Sequence, residues 1–406
     1  MISMDTLSAS ETASIKNILT LRYDPTMTTH VPKRTADDFL ESSTCSVLKI
    51  ESLIQSNIKN FVKNISENHF SVGLSGGIDS ALTIAMLRKA APDAKIDAIS
   101  VRFVDSLDES ETAKKIGQHF DADVHVINIE NYLADLPEAI SIIKYPFWDS
   151  HWFYVVKNAI RFSKNLLSGD GGDELFAGYT FRYEKFLSLY NQDMSAMKKT
   201  QLYMDCHQRD WVPDQDKIFG SKIKFEWSEI YKQILTNFDN SLGPLNQVFL
   251  ADFNGKLLYN WIPINKSLHD HFGLNSLSPL LSAELISYAT HLSPATKYNG
   301  TTKIGKIPLR ELLSKYVPKE MISEEKHGFS VNTVNLWKLN GKDICEQYLR
   351  NGRIVEDGWI NKEWIEKRLK TELDVRYVNK FFGLLAFEIW YRLFVTKEMK
   401  SSFVLK

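Results

Sequence analysis

Residues 73–80 read GLSGGIDS and lie between the apolar HFSV (69–72) and ALTIAMLRKAA (81–91). An apolar run, a glycine-rich bend and a helical run in that order describe a strand that turns tightly into a helix. Such a turn offers free backbone N–H groups to an anion. The lysine of a G-x-x-x-x-G-K-[ST] phosphate loop is missing, and the spacing is not G-x-G-x-x-G. What remains is a bend in which Gly76 and Gly77 let the backbone close around a phosphate, Ser75 and Ser80 add hydroxyl donors, and Asp79 supplies a carboxylate for a divalent cation. For S-G-G alone a helix-entry turn is the plainer account; the longer L-S-G-G-I-D-S favours phosphate binding.

The chain on either side follows the same plan. Apolar runs at IDAISVRF (96–103), DVHVINI (123–129) and NLLSGD (165–170) alternate with the helical stretches ESETAKKIGQHF (109–120) and WFYVVKNAIRF (152–162). This alternation predicts a parallel sheet covered by helices on both faces, with ligands at the carboxyl ends of its strands. A second glycine-rich stretch, LLSGDGGDE (166–174), falls at that edge. Beyond about residue 180 the strand signal fades into aromatic-rich helical patterns. The predicted organisation is an N-terminal extension over 1–66, an α/β nucleotide-binding core over 67–180, and a mainly helical part over 181–406 that completes the site.

Composition narrows the function classes. The 406 residues, 44% hydrophobic and 24% charged, are enough for two or more globular domains. Lys and Arg number 49 against 50 Asp and Glu, a net charge of −1 without a long basic run, which disfavours nucleic acid and favours a small-molecule partner. Cys45, Cys206 and Cys345 are too scattered for a zinc knuckle, a redox pair or a disulfide framework. The opening MISMDTLSASETASIKN has neither the basic nor the apolar region of a secretory signal, so a cytoplasmic protein is expected. The most apolar stretch, FFGLLAFEIWYRLFV (381–395), is interrupted by Glu388 and Arg392 well short of the ~20 clean residues of a membrane span, and reads as a buried core helix. His269 and His271 lie two apart in a predicted loop and are given no zinc role.

With both bends in view, the chain resembles the ATP pyrophosphatases, whose S-G-G-x-D-S loop matches 75–80 and which cleave ATP between its α and β phosphates. LLSGDGGDELFAGY (166–179) resembles the second signature of the asparagine synthetase type, S-G-[DE]-G-x-D-E-[LV]-F-x-G-Y. KIPLRELLSKYVPKEMISEEKHGFSVNTVNLW (306–337) is similar to that family's K-x-x-L-R…L-P…K-x-G-F…W, and LLAFEIWYRLF resembles its last helix. The likeness covers roughly 66–396. It implies an ATP pyrophosphatase (adenine nucleotide alpha hydrolase-like) fold using ATP and Mg²⁺. It further implies that Leu74, Val101 and Gly169 frame adenine and ribose, that Ser75, Gly76, Gly77 and Ser80 hold pyrophosphate, and that Asp79 and Asp173 position magnesium. Lys326 matches the lysine that reaches the phosphates and Lys306 a second basic residue near them, while Asp170 stands where a carboxylate orients or deprotonates an incoming amine. The implied activity is an AMP-forming amide ligase that adenylates a carboxylate, aspartate by default, for attack by ammonia or an amine.

Two departures from the family pattern bear on substrates. The sequence before residue 66 leaves no room for the family's glutaminase domain, and ILTLRYDPTMTT (18–29) resembles only the connector L-R-Y-x-P-x-x-T, so free ammonia, an amine or a separate glutaminase subunit is the expected nitrogen source. In GLNSLSPLLSAELISYA (273–289), Asn275, Leu277 and Ser282 replace the family's Glu, Arg and Asp at positions expected to shape the site. A natural-product or ring-forming synthetase, similar to β-lactam synthetase, is therefore the alternative, ahead of a tRNA-modifying enzyme. A homodimer without membrane contact is the expected assembly.

Overall fold

The computed structural model describes residues 7–104, 106, 108–322 and 331–406. Five parallel strands form one sheet among them: β1 (His69–Gly73), β2 (Lys95–Phe103), β3 (Asp123–Ile129), β4 (Asn165–Leu167) and β5 (Asn275–Leu277), in the order β3-β2-β1-β4-β5. The pairings run Val124↔Ala98↔Val72↔Leu167↔Leu277 across the sheet. The predicted parallel α/β core is thus present. The fifth strand, three residues long and more than a hundred residues beyond β4, departs from the expectation that strands end near residue 180.

Burial on both faces accounts for the apolar inner strands β1, β2 and β4. Leu166 and Leu167 alternate across the pleat, so Leu167 enters one core with Val72 and Ile84, while Leu166 enters the other with Ile99 and Val156. Helix Ile78–Ala90 covers the first face, with Val47–Lys63 packed outside it. The second face carries helix Trp152–Ala159 and, further out, the apolar helix Val375–Phe394. That last helix is buried, as expected, and its Glu388 is fully enclosed, accepting the N–H groups of Arg353 and Ile354 at 2.9 and 3.0 Å and the Nε of Arg392. Among the described residues no helix is long and apolar enough to cross a membrane.

The N-terminal extension is part of this packing. Ser8 caps helix Ala9–Leu21 in a reciprocal pair with Glu11, and Ile15, Ile18, Leu19 and Leu21 are buried. Arg22 turns into the left-handed region at φ 63° and sends its guanidinium to Asp149 and Asp210 at 2.5 and 3.0 Å, over the Trp148 ring. Tyr23 stacks on Tyr259. The connector-like stretch 18–29 therefore ties the α/β core to the helical part.

The order of strands decides where a ligand can sit. β1 continues to β2 on one side and pairs with β4 on the other, so the bends after β1 and β4 are neighbours at the carboxyl edge, where an open parallel sheet forms its crevice.

Candidate active site

A cavity of about 350 Å³ opens at that crevice. Leu74, Ser75, Gly76, Gly77, Asp79 and Ser80 from the first bend line it, as do Gly169, Asp170 and Asp173 from the second and Lys306 from the helical part. Val101 does not; Ile99, two residues earlier on β2, takes the lining position. Lys326 lies outside the described residues.

The glycines act first as clearances between the two bends. A side chain at Gly169 would place its Cβ 2.8 Å from the Ser80 nitrogen, and one at Gly172 would come within 2.3 Å of Asp79 Oδ1. At Gly178 a Cβ would sit 1.7 Å from Asp173 Oδ1 and 2.6 Å from Lys306 Cε. Gly171, at φ 95°, makes the turn that starts the short helix Gly172–Leu175 and carries Asp173 inward. The first bend is also braced by its own hydroxyls: the Gly77 N–H donates to Ser75 Oγ at 3.1 Å and the Ser75 N–H to Ser80 Oγ at 3.1 Å.

Lys306 occupies the centre of this arrangement. Its backbone takes φ 56° as the chain enters helix Ile307–Leu313, and its N–H donates to the Phe176 carbonyl at 2.8 Å. The ammonium, 9% exposed as a residue, lies 2.5 Å from Asp79 Oδ2 and 2.8 Å from Asp173 Oδ1. Burial lowers its pKa, but the two carboxylates outweigh that and hold it above the ordinary lysine value. Two carboxylate oxygens within reach of one cation also fit Mg²⁺, which takes one or two protein carboxylates and completes its shell with phosphates and water. Among the described residues no cluster of three or more His, Cys, Asp or Glu forms a metal cage.

Asp170 sits away from that pair. Its Oδ2 accepts from Ser168 Oγ at 2.7 Å, Asn265 Nδ2 at 2.9 Å and, longer, Ser278 Oγ at 3.4 Å. Burial nonetheless pushes its carboxyl above the usual range, against these bonds.

The sequence did not single out one wall of the cavity. Leu257, Trp261 and Asn265 come from successive turns of the segment that kinks at Gly255 and continues as helix Ile262–Phe272. The signal was a leucine, a tryptophan and an asparagine four apart, with a polar third member that a purely buried stripe would not carry. Asn275, Leu277 and Ser282 are absent from the lining. Asn275 Nδ2 donates to Asn165 Oδ1 at 3.0 Å, Leu277 gives its carbonyl to Ser168 N–H at 3.0 Å, and Ser282 caps helix Ala283–Thr290. His269 lies in the last turns of helix Ile262–Phe272 rather than in a loop, because the helix runs to Gly273. It accepts from Trp152 Nε1 at 2.8 Å, and burial lowers its imidazole pKa to about 4.

Known proteins resemble this chain over most of its length. The asparagine synthase family model matches residues 54–392. Asparagine synthetase [glutamine-hydrolyzing] 1 of Bacillus subtilis is 26% identical over 368 residues, covering 80% of this chain and 56% of that protein. A putative asparagine synthetase [glutamine-hydrolyzing] of Mycobacterium bovis is 24% identical, covering 79% and 54%. The chain thus spans about half the length of the curated relatives it matches. Among solved structures, NMN synthetase from Francisella tularensis matches at 16% identity and TM-score 0.28, covering 52% of this chain and 94% of its own.

Proposed function

Because this chain belongs to the asparagine synthase family, we propose that it is an ATP-dependent ligase that adenylates a carboxylate, releases pyrophosphate and forms an amide as ammonia or an amine displaces AMP. Aspartate is the default acid. The observation that carries this reading is the meeting of Asp79 and Asp173, from two glycine-rich bends, on one buried cation at the carboxyl edge of a parallel sheet.

Each part has a chemical task. A carboxylate is a poor electrophile until one oxygen is made a leaving group. Asp79 and Asp173 would hold Mg²⁺, which neutralises charge on the departing pyrophosphate. Lys306, kept protonated by its two carboxylates, adds a fixed positive charge beside them. Lys326 is assigned the same electrostatic task on the phosphates from its sequence match. Gly76 and Gly77 bring backbone close to the nucleotide, Leu74 and Gly169 border its sugar and base, and Ser75 and Ser80 keep the bend in shape. Asp170 receives the proton of the attacking nitrogen.

Carboxylate-dependent exchange of labelled pyrophosphate into ATP tests the proposal, with aspartate and glutamate first and ammonium compared with glutamine as nitrogen donor. Exchange should fall about a hundredfold or more in Asp79→Ala and Lys326→Ala. ADP and inorganic phosphate as products, or unchanged exchange in both variants, would refute it. The apolar wall of Leu257, Trp261, Trp152 and Val155 favours one second reading, a larger apolar acid, in which case exchange appears with such acids and not with aspartate.

A further inference from the structure

Asp170 has an asymmetric set of partners. Two close donors reach it, Ser168 Oγ at the end of β4 and Asn265 Nδ2 on helix Ile262–Phe272, while Ser278, just after β5, stands 3.4 Å away and shares its single proton with Ser168 Oγ at 2.7 Å. All of these contacts fall on Oδ2. Oδ1 takes no hydrogen bond among the described residues, and Asp170 lines the cavity. Asn265 is itself only 7% exposed, and donation to a carboxylate fixes its amide with Nδ2 toward Asp170. The amide oxygen is left buried without a hydrogen-bond partner. A residue kept for packing alone would not carry that penalty, of order 1–3 kcal/mol.

We infer that Asn265, seconded by Ser278, is a positioning residue that clamps Asp170 through one oxygen so that the other receives the proton of the attacking nitrogen. The inference rests on the ligase reading above and deepens it. In the step it serves, the nitrogen lone pair bonds to the carbonyl carbon of the acyl-AMP. The carbon–oxygen bond to the phosphate breaks and AMP leaves with that electron pair. The proton lost by nitrogen passes to Asp170 Oδ1 and then to water, so acyl-AMP and amine give amide, AMP and one proton. The clamp also sets the charge state of the base. Hydrogen bonds donated to a carboxylate favour its ionised form, and here they oppose the upward push of burial. The groups bonded to Asp170 are neutral, and the charged side chains of the same cavity are Asp79, Asp173, Glu174, Lys303, Lys306 and Arg310.

Asn265→Leu removes the donor and keeps the bulk. With the acid that supports pyrophosphate exchange, ammonium-dependent amide formation should fall about tenfold or more, the loss of a hydrogen bond to a charged group, while exchange falls less than about threefold. The acid limb of the amide-forming rate should move up by about one pH unit, because Asp170 loses a bond that favoured its ionised form. Ser278→Ala should shift the limb in the same direction by less, and it covers the case in which the leucine variant does not fold. Parallel loss of exchange and amide formation, or an acid limb that stays in place in both variants, overturns the inference while leaving the ligase reading intact. If no acid in a broad panel supports exchange by the unaltered protein, both fall.

Discussion

Replacing Lys306 by methionine removes a buried charge that lies between Asp79 and Asp173. Breaking a buried ion pair costs about 3–5 kcal/mol; these carboxylates keep 17% and 25% of their side-chain surface in solvent, so the expected loss of unfolding free energy is about 2–4 kcal/mol. The sign with pH follows from the raised pKa of Lys306. Its stabilisation is complete below the ordinary lysine value and fades only as pH climbs through the still higher folded value, so the deficit of Lys306→Met should be constant from pH 6 to about 9. Magnesium supplies the control. In the variant the ion meets two carboxylates with no competing ammonium from residue 306, and at a hundredfold excess over its dissociation constant it returns about 2.7 kcal/mol. In the unaltered protein it must displace or crowd the lysine and returns less. Urea unfolding with and without excess MgCl₂ reads both quantities. A variant as stable as its parent, or one that magnesium stabilises no more than its parent, would refute the electrostatic account of this pair.

Two further outcomes are expected. Lys297 is 1% exposed with its ammonium over the Phe249 ring, and burial lowers its pKa from 10.5 to about 7; the unfolded chain therefore binds the extra proton between those values and stability rises with pH across that window. Lys297→Met should gain about 2–4 kcal/mol at pH 7, with the gain gone by about pH 10.5, and urea midpoints at the two pH values check it. Gly178→Ala pushes a methyl into Asp173 and Lys306, and should cut pyrophosphate exchange about a hundredfold for a stability loss of about 1–3 kcal/mol. Exchange at the parent rate would mean that this close approach has no bearing on the chemistry.

Strands β1, β2 and β4 are legible in the sequence because each is a largely buried apolar run bounded by a turn, and the edge strand β3, which has no buried residue, shows through its recurring Val124, Val126, Ile127 and Ile129. β5 is not, since Asn-Ser-Leu is short, half polar and held in the sheet by its neighbour rather than by its own pattern. In the site, Asp79 is legible through its glycine-rich bend, which reflects how closely two backbones must pass, while Asp173 and Lys306 are legible only through their resemblance to family motifs. Position along a strand is less so: Val101 and Ile99 point to the same side of β2, and only the depth of the crevice separates them. Asn265 is hidden for another reason. Its meaning depends on a partner ninety-five residues away, and nothing local marks an amide aimed at a distant carboxylate.

The late arrival of β5 has a consequence for synthesis. Leu167 finds Leu277 only after more than a hundred further residues have been made, on the order of 5–20 s of translation at typical rates. Throughout that interval the nascent polypeptide presents the unpaired backbone of β4 as a template for any other extended chain, and it has not yet made the lysine that will join its two aspartates. A ribosome that stalls between these points leaves a product unable to work and prone to stick to its siblings, so chaperone demand should peak there, before the last third of the message is read.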